Sequence, residues 1–222
     1  MSDPVVAAIP VREGGERLVD VRADGRFLVD PRKRDPDGHF AQLREGVADR
    51  LLAAQDALPD GLRILFVEGY RTPALQRAYF LQYLGELQAE YPDASERELF
   101  SAASRYVSPP DIAPHSAGAA VDLTLATADG TELDLGTRVN ASPEESSGAC
   151  YTGAGSIDAH ARANRDVLGR ALASAGFVNY PTEWWHWSFG DRYWALAVGA
   201  PAACFGPINR AEATSTAMPG PF

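Results

Sequence analysis

Four histidines, His39, His115, His160 and His186, are the only imidazoles in a chain of 222 residues. Two of them stand near carboxylates in settings that suggest chemistry. Asp122 lies inside the apolar run Ala119-Ala120-Val121-Asp122-Leu123-Thr124-Leu125, shortly after His115. A carboxylate in a buried strand must be paired, hydrogen-bonded or bound to a metal, because an unpaired buried charge is too costly. Downstream, Glu183-Trp184-Trp185-His186 brings a second carboxylate and imidazole together. A hydrolytic zinc takes three protein ligands, usually histidines and a carboxylate, and leaves one position for water. His115, Asp122 and His186 meet that count. Glu183 is then the base that takes a proton from water, and Arg71 the clamp on a developing oxyanion.

These residues also admit plainer readings. His115 and Asp122 fit a core histidine beside a structural acid. Glu-x-x-His spacing has little specificity, and residues three apart on a regular strand point to opposite faces. Glu183 and His186 therefore serve one site only if the chain bends between them. His115, His160 and His186 form a conceivable three-histidine site. His160, in a polar helical stretch, otherwise reads as exposed, and His39, after a loop glycine, as solvated. Trp184, Trp185 and Trp187 read as core or pocket wall.

The elements that would position these groups follow from apolar periodicity. Leu18-Val19-Asp20-Val21 and Phe27-Leu28-Val29 are apolar pieces on either side of an Asp24-Gly25 turn. The loop Pro31 to Gly38, with Arg32, Lys33 and Arg34 among aspartates, is expected to be solvated. A helix is predicted from Phe40 to Leu58 and a buried strand from Leu62 to Val67, which delivers the chain to Tyr70-Arg71. Pro73 suits the first position of a second helix. The stripe of that helix, Leu75, Tyr79, Phe80, Tyr83 and Leu84, is expected in the core. Ser95 and Glu98 form a capping box for a third helix. After the strand holding Asp122, Leu133 and Leu135 suggest a hairpin arm. Residues 137–156 read as a long surface loop with the character of a lid. Asp158 to Ala173 is predicted helical, and Phe177 to Tyr180, Trp184 to Phe189 and Tyr193 to Val198 as strands. Residues 1–10 and 207–222 read as peripheral tails. The expectation is an α+β fold: one domain over 1–222, with helices packed on a mixed or antiparallel sheet that carries the metal site.

Composition narrows the function. Acidic residues outnumber basic ones 30 to 20, for a net charge of −10. That balance argues against nucleic acid and anionic membranes as partners. No apolar run approaches the ~20 residues that cross a bilayer. The N-terminus lacks a basic segment before its proline-broken apolar run, so a cytoplasmic location is expected. Cys150 and Cys204 are expected to be free thiols. The oligomeric state is not legible.

Taken together, His115-Ser116, Gly118, Asp122-Leu123-Thr124-Leu125, Glu183-Trp184-Trp185-His186 and Tyr70-Arg71 with Pro73 resemble the motifs of zinc D,D-peptidases. The match is nearest to the VanX-type D-alanyl-D-alanine dipeptidases, within a superfamily that also holds VanY-type carboxypeptidases. The resemblance covers about residues 62–190. It implies one Zn2+ per chain on His115, Asp122 and His186, Glu183 as general base and then acid, and Arg71 as stabiliser of the tetrahedral intermediate. It also implies D-Ala-D-Ala or a related small dipeptide as substrate, in glycopeptide resistance or D-alanine recovery. The rival expectations are a D,D-carboxypeptidase or peptidoglycan endopeptidase, and a zinc-containing binding module without catalysis. Two positions leave the family pattern: Ala113, usually serine, and Asn140, where the dipeptidases tend to carry aspartate. Both fall where the substrate's free amino end is expected.

Overall fold

The structure, a computed structural model, describes residues 4–208, apart from the side chains of residues 105 and 106. A five-stranded mixed sheet organises it. The strands are β2 (Leu28–Val29), β4 (Leu62–Glu68), β5 (Ala120–Thr127), β7 (His186–Ser188) and β6 (Val178–Asn179), which lie side by side in that order. β2 runs parallel to β4, and every other neighbouring pair is antiparallel. A second, two-stranded sheet pairs β1 (Leu18–Asp20) with β3 (Gln42–Arg44). The mixed α+β architecture agrees with the expectation from sequence.

β5 is buried along almost its whole length, and its two faces differ. Val121, Leu123 and Leu125 enter the main core with Leu51 of α2 (Glu45–Asp56) and Leu168 and Leu172 of α5 (Ala159–Ser174). Successive strand residues point to opposite faces. Asp122 and Thr124 therefore project to the other side, where polar groups collect. Away from this core, α3 (Pro73–Glu90) and α4 (Glu96–Tyr106) form a helical pair. It has its own small apolar cluster of Phe80, Leu87, Leu99 and Ala103. Pro73 opens α3 with Thr72 as its cap, and Ser95 with Glu98 builds the capping box of α4.

Several elements differ from the sequence reading. The helix predicted from Phe40 begins only at Glu45. Residues 40–44 are claimed by backbone pairing: Gly69 N donates to Phe40 O, Tyr70 N to Gln42 O, and β3 pairs with β1. The pieces flanking Asp24-Gly25 do not pair with each other, because β1 and β2 join different sheets. Residues 193–198 belong to a helix, α6 (Arg192–Val198), rather than a strand. Asp191 caps it by accepting from the Tyr193 and Trp194 amides, and Gly199 ends it at φ 70°. The expected strand from Trp184 shrinks to His186–Ser188. The arm at Leu133 pairs through a single bridge, with Thr127 N donating to Thr131 O and Leu133 N to Leu125 O.

The loop over residues 137–156 has no helix or strand, but it is not a loose surface segment. Val139, Ala141 and Cys150 are buried in the main core. The buried Arg165 of α5 donates to Leu135 O, Ala149 O and Tyr151 O, which fastens both ends of the loop. Near the N-terminus, residues 4–8 form the short helix α1 (Pro4–Ala8), with Val6 buried. Ile208 N donates to Ser116 O. The rest of the expected C-terminal tail lies outside the described residues. Cys150 is buried, Cys204 half-buried, and both are free. Among the described residues no helix is long and apolar enough to cross a membrane.

Candidate active site

Register across the sheet sets the site. Glu68 of β4 stands opposite Asp122 of β5, and Asp122 stands opposite His186 of β7. Three polar residues thus form a row across three adjacent strands, about 5 Å apart per strand. An irregularity between Phe66 and Glu68 brings Glu68 into that row. All three are buried.

His115 reaches the row from outside the sheet. It begins a short 3-10 turn, His115–Ala117, that Gly118 closes at φ 65°. A side chain at Gly118 would meet Leu18 Cδ2 at 2.6 Å, so the turn needs glycine both for its conformation and for space. His115 Nδ1 lies 2.7 Å from the carbonyl oxygen of Gly69. Gly69 is fixed in turn, since a Cβ there would sit 2.4 Å from the backbone oxygen of Gln42. Arg71 N donates to His115 O, so the turn and the end of β4 are tied together.

Three ligand-type atoms converge. His115 Nε2 is 3.3 Å and His186 Nδ1 2.9 Å from Asp122 Oδ1. Ligand atoms of these three residues all lie within 4.8 Å of one another. The geometry favours a cation among them. His115 donates its Nδ1 proton to a backbone carbonyl, so in the neutral ring Nε2 turns a bare lone pair toward a carboxylate oxygen. Two acceptors at that separation repel unless a proton or a metal lies between them. Burial opposes ionisation of Asp122, yet the two histidines hold its carboxyl far below the usual range. Burial likewise opposes a charged His186, and Asp122 overrides it and raises that imidazole. His186 Nε2 is buried without a hydrogen-bond partner among the described residues. The residues present fit a divalent metal with mixed nitrogen and oxygen ligands.

Glu183 sits in a turn before β7, which supplies the bend that the Glu-x-x-His spacing requires. Glu183 N donates to Tyr180 O, and Glu183 O accepts from His186 N and from Asn179 Nδ2. Its carboxylate Oε2 is 4.0 Å from His186 Nδ1, and its side chain is 23% exposed, against 4% for His186. Glu183 is therefore the more accessible carboxylate beside the cluster. Burial pushes its carboxyl up to about 7, with Asp122 adding to the shift and His186 opposing it.

Arg71 is clamped. Its Nε and Nη2 donate to the two oxygens of Glu68 at 2.8 and 2.6 Å, and Nη1 donates to Gln76 Oε1 at 2.8 Å. Glu68 is ionised despite its burial, because Arg71 pairs with it in this forked geometry. Two of the five guanidinium N–H groups have no part in these bonds.

His115, Asp122, Glu183, His186 and Arg71 all line one cavity of about 400 Å³. His160 is exposed on α5 and has no place in it. His39 is partly buried, edge-on to Tyr70. The cavity also takes in residues that sequence reasoning placed elsewhere. Tyr79 and Tyr83 line it, although their stripe reads as core, and Lys33 lines it from the loop expected to be solvated. Glu68 and Gln76 went unnoticed, but a glutamate ending an apolar strand three residues before Arg71 is a usable signal. Ala113 and Asn140 are both in the lining, and Asn140 adopts a left-handed φ of 61°.

The chain is similar to known proteins over most of its length. A family model described as D-ala-D-ala dipeptidase matches residues 37–205. A D-alanyl-D-alanine dipeptidase of Synechocystis sp. is 28% identical over 219 residues, covering 85% of this chain and 87% of the relative. A D-alanyl-D-alanine dipeptidase of Enterococcus faecium is 31% identical over 154 residues, covering 66% of this chain and 72% of the relative. Among solved structures, the vancomycin-resistance D,D-pentapeptidase VanY in complex with Zn(II) is similar at 18% identity and a TM-score of 0.45, covering 78% of this chain and 85% of that one.

Proposed function

The chain belongs to the D-Ala-D-Ala dipeptidase family of peptidases, and on that footing we propose that it is a zinc-dependent enzyme that hydrolyses the amide of D-alanyl-D-alanine or a closely related small dipeptide. The observation that carries the reading is the convergence of His115, Asp122 and His186 beside the more accessible Glu183 in one cavity. We read the chain, residues 1–222, as one catalytic domain built around that cavity.

His115 Nε2, Asp122 Oδ1 and His186 Nδ1 would hold the metal. A zinc ion bound there supplies Lewis-acid polarisation of the scissile carbonyl and makes a water more acidic. Glu183 takes the proton of the attacking water and delivers it to the leaving amine. The Glu183 carboxylate is the more accessible acid–base group beside the cluster, 4.0 Å from His186 Nδ1. Arg71, locked by Glu68 and Gln76, offers its remaining N–H groups to the oxygen that gains charge as the carbonyl carbon becomes tetrahedral. Because Glu68 and Gln76 fix the guanidinium in advance, little reorganisation accompanies that step.

A second reading, the same chemistry on the last residue of a longer D,D-peptide, draws on the cavity's extent. It runs along α3 from Gln76 to Glu86, about 15 Å at the helical rise. An extended dipeptide spans only about 7 Å. The deciding experiment offers the zinc-loaded protein D-Ala-D-Ala and a pentapeptide ending in D-Ala-D-Ala. The dipeptidase reading expects kcat/KM at least tenfold higher on the dipeptide. Faster release of D-alanine from the pentapeptide would transfer the assignment to a carboxypeptidase.

A further inference from the structure

Lys33 is the single lysine of the chain, and it lies at the cavity that holds the metal-type cluster. Its place there is built. Asp30 N donates to Phe66 O of β4 at 2.8 Å, and Asp30 then caps the 3-10 turn Pro31–Lys33 by accepting from Arg32 N. That turn sets Lys33 Nζ 5.7 Å from the centre of the Tyr79 ring and 3.9 Å from Glu68 Oε2. The contact with Glu68 is beyond hydrogen-bond distance. Both oxygens of Glu68 already accept from Arg71. Two cations thus face one carboxylate, and among the described residues Lys33 Nζ has no hydrogen-bond acceptor. Its side chain is 28% exposed, against 12% for Arg71. The excess positive charge is at the β2–β4 side of the row Glu68–Asp122–His186, while Glu183 is at the β7 side.

We propose that Lys33 binds the C-terminal carboxylate of the substrate and sets the direction in which the peptide lies across the site. The assignment rests on the peptidase reading above. A peptide whose last residue leaves as the amine carries a carboxylate one residue, about 3.8 Å, beyond the scissile bond. The Lys33 ammonium is 3.9 Å from Glu68, which stands opposite Asp122 on the neighbouring strand, and it lines the same cavity, within reach of a carboxylate one residue past the scissile bond. Arg71 cannot take this role fully, since three of its donors are committed to Glu68 and Gln76. The tyrosine face under Lys33 steers the ammonium without neutralising it.

The test compares D-Ala-D-Ala with its C-terminal amide, which lacks the negative charge. Zinc-loaded wild-type protein should prefer the free acid in kcat/KM, chiefly through KM, by roughly 10- to 100-fold, the range of a charge-assisted contact. Lys33→Gln should abolish that preference, and Lys33→Arg should restore part of it. A merely structural lysine would lower both substrates together and leave the preference intact. Binding gives a readout apart from turnover. Reductive 13C-dimethylation keeps the charge and labels one lysine besides the N-terminal amine. In Glu183→Gln protein its resonance should move on titration with D-Ala-D-Ala and stay in place with the amide. If Lys33→Gln keeps the preference, or the resonance ignores both ligands, the assignment falls while the dipeptidase reading stands. If wild type hydrolyses neither compound, the peptidase reading fails and takes this assignment with it.

Discussion

Two carboxylates within one site are driven in opposite directions by their surroundings. Burial acts against the charge on both. At Asp122 two imidazoles overcome it, and at Glu183 it prevails and the carboxyl rises to about 7. The division separates a carboxylate that stays ionised, the proposed ligand, from a group that can exchange a proton. It also predicts how stability depends on pH in metal-free protein. Glu183 is raised in the folded state above its ordinary 4.5, so folding favours its protonated form. Its ionisation costs stability progressively as pH rises from about 4.5 to about 7, and the cost is full above that. His186, also raised, acts in the same direction, since its stabilisation is lost as pH climbs through its folded value. Asp122 acts oppositely, and only as pH falls below the ordinary carboxylate range. Metal-free protein should therefore withstand more urea at pH 5.5 than at pH 8. Glu183→Gln should flatten that slope by stabilising the protein at pH 8. An unchanged slope in the variant would remove Glu183 as its source.

At the scale of elements, the site depends on how turns deliver side chains to the sheet. The glycine-closed turn at His115 illustrates this. Gly118→Ala should destabilise the protein by about 1–2 kcal/mol from the left-handed backbone alone. The contact of a Cβ with Leu18 adds to that cost. Because His115 rides on the same turn, zinc affinity should fall with stability, and calorimetry with zinc titration measures both. The same scale shows what was legible in the sequence. Asp122 in an apolar run marked both a strand and a site, because burial of a charge has few explanations. α5 and β4 were legible because their apolar periods agree with their ends. Residues 40–44 were not, since Leu43 and Val47 suit a helix while backbone bonds from Gly69 and Tyr70 decide otherwise. The alternation in Tyr193 to Val198 obscured α6, although the capping Asp191 and terminal Gly199 were in plain view. Tyr79 and Tyr83 carried no mark of their place in the cavity, since a helix stripe looks alike whether it faces core or substrate.

At the scale of the molecule, a chain of net charge −10 keeps two cations, Arg71 and Lys33, at one side of its cavity. Local field and total charge are thus separate properties, and the small anionic end of a peptide can meet a positive wall within an acidic protein. The main core holds the sheet and its two long helices, and the α3–α4 pair adds a wall with its own apolar cluster. The cavity lies where these parts meet, so every group in the proposed reaction depends on the whole fold. The central claim is that Glu183 moves the proton while His115, Asp122 and His186 hold the metal. D-alanine release from D-Ala-D-Ala by wild-type and Glu183→Gln proteins, at matched zinc content, tests it most directly. The account predicts one zinc per chain in both and turnover lowered by about 10²- to 10⁴-fold in the variant. Equal turnover in the two proteins, or loss of zinc with loss of Glu183, would contradict it.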